Sequence, residues 1–137
     1  MLHDPALVAE VRAWLLKAGK DLAAATYEMQ ADPPFAGDIV FHAQQAAEKS
    51  LKAFLSWHRI HFRKTHNLVE LGAACCKVDE SLEPLLKRAA PLTEYAWKFR
   101  YPGDPEEPAA EEAVDALERA RDVFEAVLKR LPSEVHP

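Results

Sequence analysis

The stretch Phe41–Leu55, FHAQQAAEKSLKAFL, decides the fold of this chain. At 100° per residue, its apolar side chains and the two that precede it fall on one broad arc of a helix, formed by Ile39, Val40, Ala43, Ala47, Leu51, Phe54 and Leu55. Gln44, Glu48 and Lys52, here called the polar stripe, lie at the edge of that arc rather than opposite it. Polar groups beside a buried surface need partners, so the stripe is either a structural network or the wall of a binding site.

Length and composition predict one all-α domain over residues 1–137. The chain is 49% hydrophobic and 28% charged, and it has only 4 glycines. Its net charge of −5 argues against tight nucleic-acid binding through the overall field, although a local basic patch can still bind. Basic residues and histidines concentrate in 57–66 and acidic ones in 104–125, which indicates either a solvated surface or an electrostatic face.

The two cysteines, Cys75 and Cys76, are adjacent, which suits neither a disulfide framework nor a metal site. The sequence shows no leader segment at its start and no apolar run near the ~18 residues that span a bilayer. We therefore expect a cytoplasmic protein with no membrane span, metal or cofactor.

Two long helices should form the centre of the fold. Asp4-Pro5 has the pattern of a helix cap and first residue and predicts a helix from 5 to about 30. A short loop at Asp32-Pro33-Pro34 leads to a second helix that extends to about Ile60. Helices so closely joined should be antiparallel.

The rest of the chain predicts three further segments. Asn67 to Glu70 has the spacing of a capping box for a short helix through about Lys77. Asp79 or Ser81 opens another segment, which Pro91 should kink or split near residue 90. The pattern Asp104-Pro105-Glu106-Glu107 predicts the start of the last helix. The expected fold is an up-and-down bundle of four principal helices plus a short fifth.

Three groups are candidates for chemistry. Glu48 and Lys52 have the i,i+4 spacing of a helical ion pair, on a mixed face that suits either a ligand or a helix of a second subunit. Arg100, at a predicted helix end, can cap the last carbonyls or bind the phosphate of a nucleotide. His66 is a weak candidate for a catalytic acid or base, or it is simply an exposed loop residue. Glycine-rich phosphate loops and nucleophile or zinc signatures are missing from the sequence.

The run 41–55, together with Thr65-His66-Asn67-Leu68 and Phe99-Arg100-Tyr101-Pro102, resembles the HEPN family (higher eukaryotes and prokaryotes nucleotide-binding). The likeness extends over nearly the whole chain. It implies a small helical bundle, usually a homodimer, often encoded beside a minimal nucleotidyltransferase. Such pairs act as toxin and antitoxin, and many members of the family are metal-independent ribonucleases.

The nuclease members of that family use an arginine and a histidine with four to six residues between them. Arg100 matches the arginine, but this spacing leads to Pro105, Glu106 and Glu107. Without an imidazole, proton transfer loses a contribution of about 10²–10⁴-fold. We therefore expect a non-catalytic protein that binds nucleotide or RNA, with ligand-binding residues Gln44, Glu48, Lys52, Arg100 and Tyr101. The alternatives are a metal-independent endoribonuclease that uses His66 instead, and a purely structural dimer whose interface is the stretch 41–55.

Overall fold

The structure, a computed structural model, describes residues 3–104 and 106–137. These residues form five α-helices and no strand, which confirms the all-α prediction. The helices are α1 (Pro5–Glu28), α2 (Ala36–Trp57), α3 (Leu68–Val78), α4 (Glu83–Ala89) and α5 (Ala110–Arg130). Short 3₁₀ segments cover Glu80–Leu82, Ala90–Ala96 and Ser133–Val135. Among the helices so described, none is long and apolar enough to cross a membrane.

Helix α2 lies at the centre of the bundle and packs mainly against α1 and α5. All seven apolar residues of the predicted arc are buried, each at most 1% exposed. Polar contacts show that α1 and α2 are antiparallel, as predicted. Asp21 contacts both His42 and Lys49, whereas Glu28, two turns later in α1, contacts only the earlier of these two residues, His42.

Two predicted helix starts are confirmed by their caps. The Asp4 carboxylate accepts a hydrogen bond from the backbone N–H of Ala6 at 2.9 Å. Asn67 accepts from the N–H groups of Val69 and Glu70 at the start of α3. The reciprocal half of the predicted capping box is missing, because the Glu70 carboxylate binds the Arg63 guanidinium instead.

Helix α2 ends at Trp57, three residues before the predicted end at Ile60. Arg59 adopts a left-handed backbone with φ of 57°. The N–H of Ile60 donates to the Leu55 carbonyl, and that of Arg59 donates to the Ser56 carbonyl. This pair of bonds is the Schellman arrangement, which closes a helix C-terminus with one left-handed residue.

The segment after α3 is split as predicted. Asp79 caps the first 3₁₀ turn through the N–H of Ser81, α4 ends at Ala89, and a 3₁₀ segment carries the chain from Ala90 past Pro91. A proline in a helix interior removes one backbone donor and clashes with the preceding turn, which explains the change of helix type.

The predicted start of the last helix at Asp104 is wrong, because α5 begins at Ala110. Pro105, the predicted first helical residue, lies outside the described residues. Asp104 turns back and accepts from the N–H groups of Arg100 and Tyr101. Glu107 caps α2 instead, since its carboxylate accepts from the N–H of Gly37 at 2.6 Å. Pro108 also disfavours helical backbone at Glu107, the residue before it.

The Glu107 carboxylate approaches the backbone of Gly37 so closely that a side chain there would displace it. A Cβ atom at Gly37 would lie 2.8 Å from Oε1 of Glu107, closer than real Cβ contacts. Glu107 is therefore attached to the start of α2.

The two ends of the described chain meet. The 3₁₀ turn Ser133–Val135 packs on α1, and Val135 is buried. Arg12 donates to the backbone carbonyl of Glu134, and His3 contacts the Glu134 side chain.

Candidate functional site

The polar stripe of α2 forms a buried network. Gln44, Glu48 and Lys52 are only 0%, 4% and 7% exposed. Oε2 of Glu48 accepts from the Lys52 ammonium at 2.9 Å, and Oε1 accepts from the Gln44 amide at 3.1 Å. The Gln44 amide also donates to the backbone carbonyl of His66 at 3.0 Å, which attaches the loop before α3 to α2.

His66 completes this network from outside. Its Nδ1 atom lies 2.7 Å from Oε1 of Glu48. Burial alone would raise the pKa of Glu48, but hydrogen bonds from Lys52, His66 and Gln44 outweigh it and lower that pKa. An ionised carboxylate only accepts hydrogen bonds, so Nδ1 of His66 carries the proton. The ring is 62% exposed, and its Nε2 atom makes no hydrogen bond within the described residues.

Lys52 has little surface to offer a ligand. Its ammonium lies 5.6 Å from the ring centre of Trp14 and 5.8 Å from that of Phe62, in addition to its ion pair with Glu48. Aromatic faces attract a cation because of their quadrupole, and the effect grows when water is excluded. The predicted ligand group is therefore enclosed within its own chain.

Arg100 takes one of the two roles considered for it from the sequence, the capping of helix-end carbonyls, and its phosphate-binding role stays a prediction. Its Nη1 atom donates to the carbonyl of Ala96 at 2.8 Å, which caps the 3₁₀ segment. The centre of the guanidinium lies 3.9 Å above the Phe41 ring and 5.6 Å from the Tyr101 ring. None of these contacts is with a carboxylate, and Arg100 and Tyr101 are both exposed. Within the described part of the chain, the hydrogen bond to Ala96 is the one that the guanidinium makes, so its other N–H groups have no protein acceptor there.

Helix geometry relates the two exposed groups. Arg100 contacts Phe41, and His66 contacts Glu48. Phe41 and Glu48 are seven residues apart in α2, which is two turns on one face and about 10 Å along the axis. The structure therefore brings Gln44, Glu48 and Lys52 together with His66, and it places Arg100 and Tyr101 two turns away on that face.

Sequence reasoning missed two aromatic residues of this region, Phe41 as the support of Arg100 and the exposed Trp97. Alternation of aromatic and basic residues in Trp97-Lys98-Phe99-Arg100-Tyr101 was a signal for the second. Phe99 adds a feature that no spacing reveals, a left-handed backbone with φ of 69°. Such strained residues persist only where the surrounding contacts hold them.

The basic segment 57–66 is largely neutralised. The Arg63 guanidinium makes a two-pronged contact with Glu70, and Arg59 lies 3.7 Å from Asp4. Across residues 3–104 and 106–137, no group of three or more His, Cys, Asp or Glu side chains is placed to hold a metal.

A family model decides the relationship of this chain to known proteins. The model described as HEPN domain matches residues 11–131, which is most of the chain. The chain belongs to the HEPN domain family. The matched range includes all residues of the candidate site described above, from Trp14 in α1 to Tyr101. No curated protein and no solved structure matches this HEPN chain.

Membership in the HEPN family gives the chain a nucleotide- or RNA-related function at the coarse level. After Arg100, the positions that leave four to six residues in between are Pro105, Glu106 and Glu107, and none of them is a histidine. Of the predicted site residues, His66 is the histidine, and a buried carboxylate, that of Glu48, orients it two helical turns along α2 from Phe41.

Proposed function

We propose that this HEPN protein binds nucleotide or RNA by its phosphate groups, through Arg100 and His66, and that it does so without efficient catalysis. The observation that carries the proposal is the Arg100 guanidinium, exposed and without a carboxylate partner on the described residues, stacked on Phe41. Arginine binds phosphate oxygens through parallel N–H groups, which needs charge and a planar fork rather than a proton shuttle.

The buried polar stripe supports this site rather than facing the ligand. Glu48 fixes the ring orientation and the tautomer of His66, while Gln44 fixes the backbone of that residue. Lys52 balances the buried charge of Glu48. Under this proposal, the predicted ligand-binding residues divide into two that contact the ligand, Arg100 and Tyr101, and three that position His66.

Binding of fluorescein-labelled RNA and of ATP, measured at one fixed salt concentration, tests the proposal. Arg100→Ala should weaken binding by at least about tenfold, because a charge-assisted contact is lost. The matched control is Arg88→Ala, which removes the same charge from α4, where Arg88 pairs with Asp122 across the surface. Equal losses in both variants, or no binding by the wild type, would contradict the proposal.

A second candidate function is a metal-independent endoribonuclease that uses His66. The favourable observation is the contact of His66 with the buried Glu48 carboxylate, since a carboxylate that orients an imidazole prepares it for proton transfer. Cleavage of RNA in the presence of EDTA should then fall by about 10²-fold or more in His66→Ala. Cleavage that continues unchanged in this variant would remove the candidate.

We further propose that the protein acts in the cytoplasm as a homodimer, with a minimal nucleotidyltransferase as partner in a toxin–antitoxin type of pair. Because the polar stripe is enclosed within one chain, a dimer would use other surfaces. Sedimentation velocity at several concentrations tests the dimer. Co-purification with the product of a neighbouring nucleotidyltransferase gene tests the pair.

A further inference from the structure

We infer that the turn Trp97–Tyr101 is a base-stacking subsite, in which the rings of Trp97 and Tyr101 take unpaired bases of single-stranded RNA next to a phosphate held by Arg100. The inference rests on the proposed function, since it identifies the form of RNA that the same site accepts. It adds Trp97 to the site and gives Tyr101 a specific role.

The first observation is exposure. Trp97 is 53% exposed and Tyr101 is 60% exposed, although each has a large apolar ring that would be favourable to bury. Two cations lie between them in the sequence. Lys98 follows Trp97 and Arg100 precedes Tyr101, with Phe99 between the two cations. Aromatic rings interleaved with cations are the usual composition of surfaces that bind single-stranded nucleic acid.

The second observation is that this turn is fixed. The half-buried Phe99 stacks on the buried Tyr95 ring with centres 6.2 Å apart, and its left-handed backbone reverses the chain. The Asp104 carboxylate accepts from the N–H groups of Arg100 and Tyr101 at 2.8 and 2.6 Å. An aromatic surface that is already ordered loses little conformational entropy on binding.

The third observation is that the guanidinium lies close to both ends of the turn. Arg100 donates to the carbonyl of Ala96, the residue directly before Trp97, and the centre of its guanidinium lies 5.6 Å from the Tyr101 ring. Phe41 covers one face, so the remaining N–H edge is the part available to a phosphate. A phosphate there has an exposed aromatic ring close to it for the attached base.

These features select unpaired bases. In an RNA duplex the base faces are stacked on one another and out of reach of side chains, whereas bases in single strands can lie on aromatic rings. A mononucleotide offers only one base to the two rings. We therefore expect a labelled single-stranded 12-mer RNA to bind about tenfold or more tightly than the duplex of the same length or AMP.

The experiment compares ring-removing and ring-keeping variants in anisotropy titrations with this 12-mer. Trp97→Leu and Tyr101→Leu should each weaken binding about tenfold, whereas Trp97→Phe and Tyr101→Phe should retain most of the affinity. The matched control is Tyr27→Leu, which removes a ring that is 77% exposed at the C-terminal end of α1. Stacking on Trp97 should also quench tryptophan fluorescence, and Trp97→Phe should abolish that quenching while it binds.

The outcomes separate this inference from the proposed function. If Arg100→Ala binds like the wild type, the phosphate site itself is overturned. If Arg100→Ala weakens binding but both leucine variants match Tyr27→Leu, or if the duplex binds as well as the single strand, the stacking subsite alone is overturned. Leucine variants that change the sedimentation coefficient but not RNA affinity would assign the exposed rings to an interface between copies, which also overturns it.

Discussion

Glu48 is the residue on which the site depends most. A single buried carboxylate takes hydrogen bonds from an amide, an ammonium and an imidazole, which come from Gln44, Lys52 and His66. The structural network, one of the two alternatives that the sequence offered, is therefore present, whereas the wall of a binding site stays a proposal. The buried side of the network holds the helix and loop together, and its outer side orients His66.

Replacing Glu48 by Gln should lower the free energy of unfolding by about 3 kcal/mol, because it leaves the buried Lys52 ammonium without its counter-charge. Urea unfolding followed by circular dichroism measures the change. Glu48→Gln combined with Lys52→Met should recover part of that loss, since an apolar side chain suits the space beside Trp14 and Phe62. A double variant less stable than Glu48→Gln would show that the ammonium is stabilised by its aromatic neighbours alone.

The adjacent cysteines should differ sharply in reactivity. Burial raises the pKa of the Cys75 thiol to about 12, so almost no thiolate forms at neutral pH. Cys76 is only partly buried; burial and the nearby Glu83 and Asp79 carboxylates raise its pKa as well. Iodoacetamide should therefore alkylate Cys76 slowly and leave Cys75 unmodified, while both react in urea. Peptide mass spectrometry that finds equal labelling of the native protein would contradict this expectation.

At this scale the sequence predicted which polar side chains lie beside the core, but it did not identify their partners. The i,i+4 spacing of Glu48 and Lys52 is local, so their ion pair follows from helix geometry alone. The contacts of His66 with Glu48 and of Arg100 with Phe41 join residues far apart in the chain. Their existence depends on where two loops return, which no local pattern specifies.

At the scale of helices, the same distinction separates correct from incorrect ends. Asp4 and Asn67 cap their own helices, so α1 and α3 begin where the sequence places them. Glu107 has the residue type of a helix start, but its carboxylate accepts a hydrogen bond at the N-terminus of α2 instead. Acidic residues favour any helix N-terminus within reach, and the sequence alone does not say which one.

The α1–α2 pair carries a pH-dependent contact. The pKa of His42 is raised, mainly by the hydrogen bond of its ring with Asp21. The charges of Glu28, Asp21 and Asp38 also raise it, whereas burial opposes the shift. Lys49 is the other cation that faces Asp21. A histidine whose pKa is higher in the folded state stabilises fully below its unfolded pKa and loses that contribution as the pH rises through the folded pKa.

The urea midpoint of the wild type, relative to that of His42→Gln, should therefore fall as the pH rises from about 6.5, the ordinary pKa of a histidine, and should level off once the folded-state imidazole has lost its proton. Measuring both proteins at the same pH values cancels the titration of other groups. A constant difference between the two midpoints across this range would show that His42 does not gain its proton from folding.

For the whole molecule, the central position of α2 makes one core. Buried residues of α1, α3, α5 and the segment between α3 and α5 join a single cluster around α2. The description of 1–137 as one domain stays a prediction, with a direct test. Small domains with one core unfold cooperatively, so urea transitions followed by tryptophan fluorescence and by circular dichroism should coincide. Separate midpoints would indicate that part of the bundle unfolds alone.

The contact of Ser133–Val135 with α1 has a consequence for connectivity. Because residues 3 and 134 are neighbours, a short peptide could join them and new ends could be opened in an exposed loop. The helices would then be synthesised in a rotated order and still reach the same neighbours. In this bundle, the order in which the ribosome delivers the helices is separable from the shape they build.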